Sequence, residues 1–191
     1  MTILTQNSNY MFTNTFTGSS TNPTLRDVTI HPIKGGQRNL FDGTGGTTGI
    51  TIVGDVRIEG PGSVFSFGCN VTIAANSSLY IGPGVTVCGI GLGGVAGTPA
   101  VGITMTDSTS VLYLDGCDFY TGIYGVQIIN GSVLLRNKVR IYNGNYPSFT
   151  ANTVLANGLV FGDGTAAHDV DVCVLGGSYI EAIGYIYYNH S

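Results

Sequence analysis

Two stretches decide the fold: residues 110–124, SVLYLDGCDFYTGIY, and residues 132–146, SVLLRNKVRIYNGNY. At an offset of 22 residues, Ser110 meets Ser132, Val111 meets Val133 and Leu112 meets Leu134. Tyr120 then meets Tyr142, Gly122 meets Gly144 and Tyr124 meets Tyr146. SLYIGPGVTV, from Ser78, is a weaker copy. In each copy apolar or small residues fall one, three, seven and nine positions after the Ser. Val133, Leu135, Val139 and Ile141 follow this rule, as do Leu79, Ile81, Val85 and Val87. The pattern is two short strands of period two with a turn between them.

A second phrase sits between these copies: Gly or Asn, apolar, any, apolar, any, then a turn residue. It begins at Gly49, Asn70, Gly102, Gly125, Gly158 and Gly184, in steps of 21, 32, 23, 33 and 26 residues. No window shows a 3.6-residue period, so helices are not expected. Together the phrases define a unit of roughly 22 residues with three strands and three turns, the coil of a parallel β-helix. Residues 47–191 hold about six such coils. The longer steps contain insertions at 82–100 and 143–157, expected to emerge as loops. Residues 1–46 do not show the period. MTILTQNSNYMFTNTFTGSSTNPT reads as an extended arm, and LRDVTIHPIKGGQRNLFDGTGG as a strand and a cap. A cap would shield the open ladder groups of the first coil.

This coil period and turn chemistry resemble those of the right-handed parallel β-helix family, the pectin-lyase-like fold, over about residues 47–191. The resemblance implies an all-β solenoid. The fold is shared by polysaccharide lyases and hydrolases, phage tailspikes, viral spike and decoration proteins, and adhesins, so function must come from the surface. The Asn-Thr-Asp, Asp-Asp and Gly-His-Gly motifs of polygalacturonase-like members are not present, nor is a clustered Asp site with a matching basic motif.

Composition narrows the classes further. Only 9% of the 191 residues are charged, against about 25% in an ordinary domain. A chain so poor in surface charge is expected to bury part of its outside in an oligomer. The formal charge of -4 argues against a nucleic-acid partner. No apolar run reaches the ~18 residues of a membrane span, and MTILTQNSNYMF shows no secretory signal pattern. Cys69, Cys88, Cys117 and Cys173 lack metal-ligand spacing and read as small buried thiols. Neither a metal nor a cofactor is expected.

The candidate carboxylate pairs are Asp115 with Asp118, in DGCD, and Asp169 with Asp171, in HDVDV. Glycoside cleavage commonly uses two carboxyls about 5–9.5 Å apart. Each pair also has a structural reading. Asp115 suits a turn, and Asp118 lies one coil from Arg140, an ion pair that Asp163 could extend. Arg136, Lys138 and Arg140 are expected on one strand face. Tyr120 over Tyr142 and Tyr124 over Tyr146 would form an aromatic ladder, a sugar platform or an interface. Outward positions of the second phrase become apolar toward the C-terminus, so Ile129, Val160, Ile186 and Tyr188 are expected as an exposed interface stripe. The sequence ends within a coil, which also asks for a partner.

The expected protein is therefore a non-enzymatic virion surface component, a capsid decoration (cement) protein or fibre/spike module. It would anchor to capsid or tail proteins by its N-terminal arm and form a homo-oligomer. The viral placement and the trimeric symmetry are implied by the resemblance. The alternatives are a tailspike-type polysaccharide depolymerase and an adhesin module binding host glycan.

Overall fold

The computed structural model describes residues 8–12, 24–32, 37–39, 49–91, 100–122, 124–144, 146 and 158–191. Over these residues the protein is all-β, with one short 3-10 turn at Ala166–His168. The strands are β1 (Ser8–Phe12), β2 (Thr24–Pro32), β3 (Gln37–Asn39), β4 (Gly49–Ile58), β5 (Val64–Ser66) and β6 (Asn70–Ile73). Next come β7 (Ser78–Ile81), β8 (Thr86–Cys88), β9 (Ala100–Met105), β10 (Val111–Asp115), β11 (Asp118–Tyr120) and β12 (Val126–Ile129). The last are β13 (Ser132–Arg136), β14 (Lys138–Tyr142), β15 (Leu159–Phe161), β16 (Asp171–Val174), β17 (Tyr179–Ile183) and β18 (Ile186–Tyr188).

Every pairing among the described residues is parallel. The strands form three ladders. The first runs from the front half of β4 through β6, β9, β12 and β15 to β18. The second runs from the rear half of β4 through β7, β10 and β13 to β16. β4 joins these two into one sheet of ten strands, which β2 and then β1 extend to twelve. The third ladder is a six-stranded sheet, β3-β5-β8-β11-β14-β17. The chain visits the ladders in cyclic order.

Alternation explains this arrangement. In NVTI, SLYI and SVLLR every second residue is buried. Ile50, Ile52, Leu79, Ile81, Phe119, Val133, Val139 and Ile141 all meet in one apolar core. Each such side chain contributes about 1.5–3 kcal/mol on burial. Gly116, at φ 57°, and Asn137, at φ 57°, turn neighbouring corners between the second and third ladders. Both are residue types that visit the left-handed region readily.

The registers differ from the repeat offsets at three places. Leu112 pairs with Val133 and Leu114 with Leu135, an offset of 21 residues along this strand. The offset of 22 resumes at Tyr120 and Tyr142. Leu112 and Leu114 thus enter the core, and Tyr113 faces outward; an offset of 22 would reverse every side chain of β10. In the first ladder, a bulge between Gln127 and Ile128 pairs Ile128 with Ile103. Two extra residues keep the faces unchanged. Leu159 pairs with Ile186 and Phe161 with Tyr188, one residue beyond the expected step. That odd slip puts Ile186 and Tyr188 on the core-facing phase.

Strands also occur among residues 1–46. β2 extends the first sheet and β3 the second. Asp27, at φ 44°, interrupts the alternation of TLRDVTI where the β2–β4 register shifts. Of the expected arm and cap, residues 1–7, 13–23, 33–36 and 40–46 lie outside the described residues. Of the two insertions, residues 92–99, 145 and 147–157 do so too.

Candidate functional site

A concavity with convergent polar groups opens on the outer face of the second ladder. It encloses about 410 Å³ and is lined by Asp55, Arg57, Tyr80, Tyr113, Asp115 and Arg136, with Leu134 and Leu175 along one side. Successive outward positions place them there: Arg57 pairs with Tyr80, Tyr80 with Tyr113, Tyr113 with Leu134, and Asp115 with Arg136. The Arg57 guanidinium lies 3.9 Å from the Tyr80 ring centroid, and its Nε donates to Glu59 Oε1 at 2.8 Å. The Tyr80 and Tyr113 rings are 6.4 Å apart and tilted.

Asp115 is the polar anchor. It is only 4% exposed. Tyr80 Oη donates to its Oδ2 at 2.7 Å, and Asn137 Nδ2 donates to its Oδ1 at 2.6 Å. Gly82 leaves the room this needs, since a Cβ there would stand 3.1 Å from Tyr80 Cε1. Burial, with the bond to Asp115, pushes the Tyr80 hydroxyl up to about 12, so it stays a donor at neutral pH.

The carboxylate pairs take different places. Asp115 and Asp118 stand on either side of the Gly116 corner, on different sheets, and each has its own partners. Asp118 Oδ1 is 2.8 Å from Arg140 Nε, as the one-coil spacing predicts. The N–H is not aligned on the oxygen, so this is a charge contact more than a directed hydrogen bond. The two partners respond differently. Burial raises the Asp118 carboxyl above its ordinary value, outweighing Arg140 and Lys138, while Asp118 raises Arg140 further. The pair is real and its net stabilisation small. On the next strand Arg140 is paired in register with Glu181, not Asp163. Asp163 Oδ2 instead contacts His168 Nδ1 at 2.6 Å. Arg136 is on β13 and is separated from Lys138 and Arg140 by the Asn137 corner, so the three do not share a face.

Asp169 and Asp171 both line a second hollow of about 340 Å³, with Asp107 and Asn130. Asp169 is engaged by His190 Nε2 at 3.2 Å and by the Ser191 hydroxyl at 3.0 Å. Among the described residues no group of three or more His, Cys, Asp or Glu is placed to hold a metal ion. Burial pushes Cys69 and Cys117 up to about 12 and Cys88 to about 11, which makes them poor nucleophiles. Cys173 is exposed, unlike the other three.

The tyrosine ladder forms in part. Tyr120 and Tyr142 stack at 4.5 Å and 12°. Tyr146 packs edge-on against Tyr120 at 5.3 Å, and Tyr124 is exposed. The interface stripe is rearranged. Val160 is only 8% exposed and Ile129 is half-buried. Ile186 packs against the core, and Tyr188 Oη donates to Val170 O at 2.9 Å. Of the expected stripe, Tyr188 is exposed, and apolar exposure concentrates on the outer strands of the sheets and their turns. Six of the eight large exposed hydrophobics of the described residues are Val174, Leu175, Tyr179, Tyr185, Tyr187 and Tyr188.

The sequence reading missed the groove because an offset of 22 turns Tyr113 inward. The alternation of Leu112 and Leu114 against Val133 and Leu135 is the signal that would have found it. Among the described residues no helix is long and apolar enough to cross a membrane. Comparison with protein families, with curated proteins and with solved structures finds no match to this chain.

Proposed function

We propose that this protein is a non-enzymatic structural module, a right-handed parallel β-helix that assembles with copies of itself as a capsid decoration or fibre/spike component on a virion surface. The exposed cluster from Val174 to Tyr188 carries this reading. Soluble monomers avoid apolar patches of this kind, and a subunit contact would cover it. Three parallel ladders around one core support the β-helix. Handedness, trimeric symmetry and the viral setting follow from the family resemblance, and anchoring to capsid or tail proteins is assigned to the N-terminal arm. Asp115, Asp118 and Asp169 are each engaged by neighbouring groups, which favours a structural role over the depolymerase.

Absolute mass by light scattering after size exclusion tests the assembly. The full chain is expected as a closed oligomer, with a trimer as the specific expectation. Val174→Lys with Tyr179→Lys should release folded monomer. A wild-type chain that stays monomeric up to high concentration would overturn the proposal.

A further inference from the structure

We propose that the groove on the second ladder is a binding site for a short neutral oligosaccharide. Leu175 is shared with the cluster assigned to the subunit contact, and the inference rests on Tyr113, Arg136 and Asp55, which lie outside that cluster. It joins the Tyr113 ring, with Leu134 and Leu175 beside it, to the remaining hydrogen-bonding capacity of Arg136 and Asp55.

The groove has the size and mixed lining of a small-ligand site, since about 410 Å³ falls within the ~300–1,000 Å³ usual for such sites. Its residues divide into supports and contacts. Arg57 covers one face of Tyr80, Tyr80 and Asn137 hold Asp115, and Ser78 Oγ donates to Asp55 Oδ1 at 2.7 Å. These bonds fix the floor. Arg136 is exposed and forms no salt bridge with a described residue. Its planar fork of donors therefore remains for a ligand. Asp55, also exposed, keeps acceptor capacity beyond its one bond to Ser78.

These groups match a pyranose. Its C–H face packs on an aromatic ring, and its hydroxyls are both donors and acceptors, so they can serve a guanidinium and a carboxylate at once. The charge of the groove selects among sugars. Arg57 and Arg136 are offset by Asp55 and Asp115, and Glu59 neutralises Arg57 besides. A site with no net positive charge gives little preference for a polyanion. The tyrosine ladder at Tyr120 and Tyr142 belongs to the other sheet and takes no part.

The experiment is titration calorimetry of the full chain against two sets of soluble oligosaccharides of about two to four units. One set is neutral, of hexoses and N-acetylhexosamines; the other is acidic, bearing uronate or sialic acid. At least one neutral member is expected to bind at millimolar concentration or tighter. Tyr113→Ala and Arg136→Ala should each weaken it about ten-fold, roughly the effect of losing one aromatic platform or one charged hydrogen bond. Tyr120→Ala should leave it unchanged. Arg136 is exposed, so its variant keeps the test open should Tyr113→Ala fold poorly. Binding confined to the acidic set would overturn the ligand class. Binding that survives both groove substitutions would overturn the site, and no binding by either set would overturn both.

Discussion

At the residue scale, the strongest constraints are one buried carboxylate and a few glycines. Asp115 is nearly enclosed, and its two polar oxygens are tolerable there because Tyr80 and Asn137 both donate to them. Tyr80→Phe should cost about 1–2 kcal/mol, because it leaves one buried acceptor unpaired. Asp115→Ala should cost about 2–3 kcal/mol, because it strands two donors. Urea unfolding of the two variants measures both. Equal stability to wild type would show that water replaces the network. Glycines give a sharper contrast. A Cβ at Gly158 would lie 1.9 Å from Tyr185 O, a backbone atom that cannot step aside without opening the β15–β18 pairing. Gly176 has nothing within 4 Å of its Cβ position. Gly158→Ala should therefore lose more than about 3 kcal/mol, and Gly176→Ala should gain about 0.4–1 kcal/mol through the unfolded chain. The order of their melting temperatures is the check.

At the element scale, strands were legible and registers were not. A period of two reveals a strand from four residues, and NVTI or SLYI needs no tertiary information. Register depends on how many residues each corner absorbs. Asp115 pairs with Arg136, yet Asp118 pairs with Arg140, so the second of these corners holds one more residue. Similar letters on both sides of the corner hide that extra residue. Tyr113 and Ile186 were assigned the wrong face for this reason, while Tyr120 over Tyr142 was assigned correctly and Tyr188 is exposed as expected. The contact between β14 and β17 can be probed by acid. Lys138 Nζ meets Glu181 Oε2 at 2.7 Å, and this bond holds the Glu181 carboxyl below its ordinary value. A carboxyl whose pKa is depressed by folding stabilises the fold above its unfolded value, about 4.3 for Glu. That contribution fades as pH falls through the folded value. Asp163 behaves in the same sense through His168, and Asp118, raised by burial, in the opposite one. Thermal unfolding from pH 6 to pH 3 should show a loss on acidification that Glu181→Gln reduces. An unchanged pH profile in that variant would remove the pair from the account.

At the scale of the whole molecule, stability should be graded along the stack. Each strand pairs with its counterparts on either side, so interior strands are held twice and outer strands once. Core side chains follow the same gradient. Phe119, Val133 and Ile141 are buried to 1% exposure or less, whereas Val172 and Ile180 are only partly covered and Val174 is 45% exposed. Removing a fully packed ring leaves a cavity with walls on all sides, so Phe119→Ala should cost about 3–5 kcal/mol. Val172→Ala has less to lose, because water already reaches the site, and should cost less than about 1 kcal/mol. Amide exchange gives the same gradient without substitution. Amides of β10, β11 and β13 should exchange only by global opening, and those of β16, β17 and β18 by local opening at lower free energy. The assembly proposal adds a concentration dependence to this pattern. If subunits cover the Val174–Tyr188 cluster, protection of β16, β17 and β18 should rise with protein concentration while that of β10 and β11 stays constant. Uniform protection at every concentration would mean that the outer strands are as stable as the interior ones, and that no partner copy is needed to explain them.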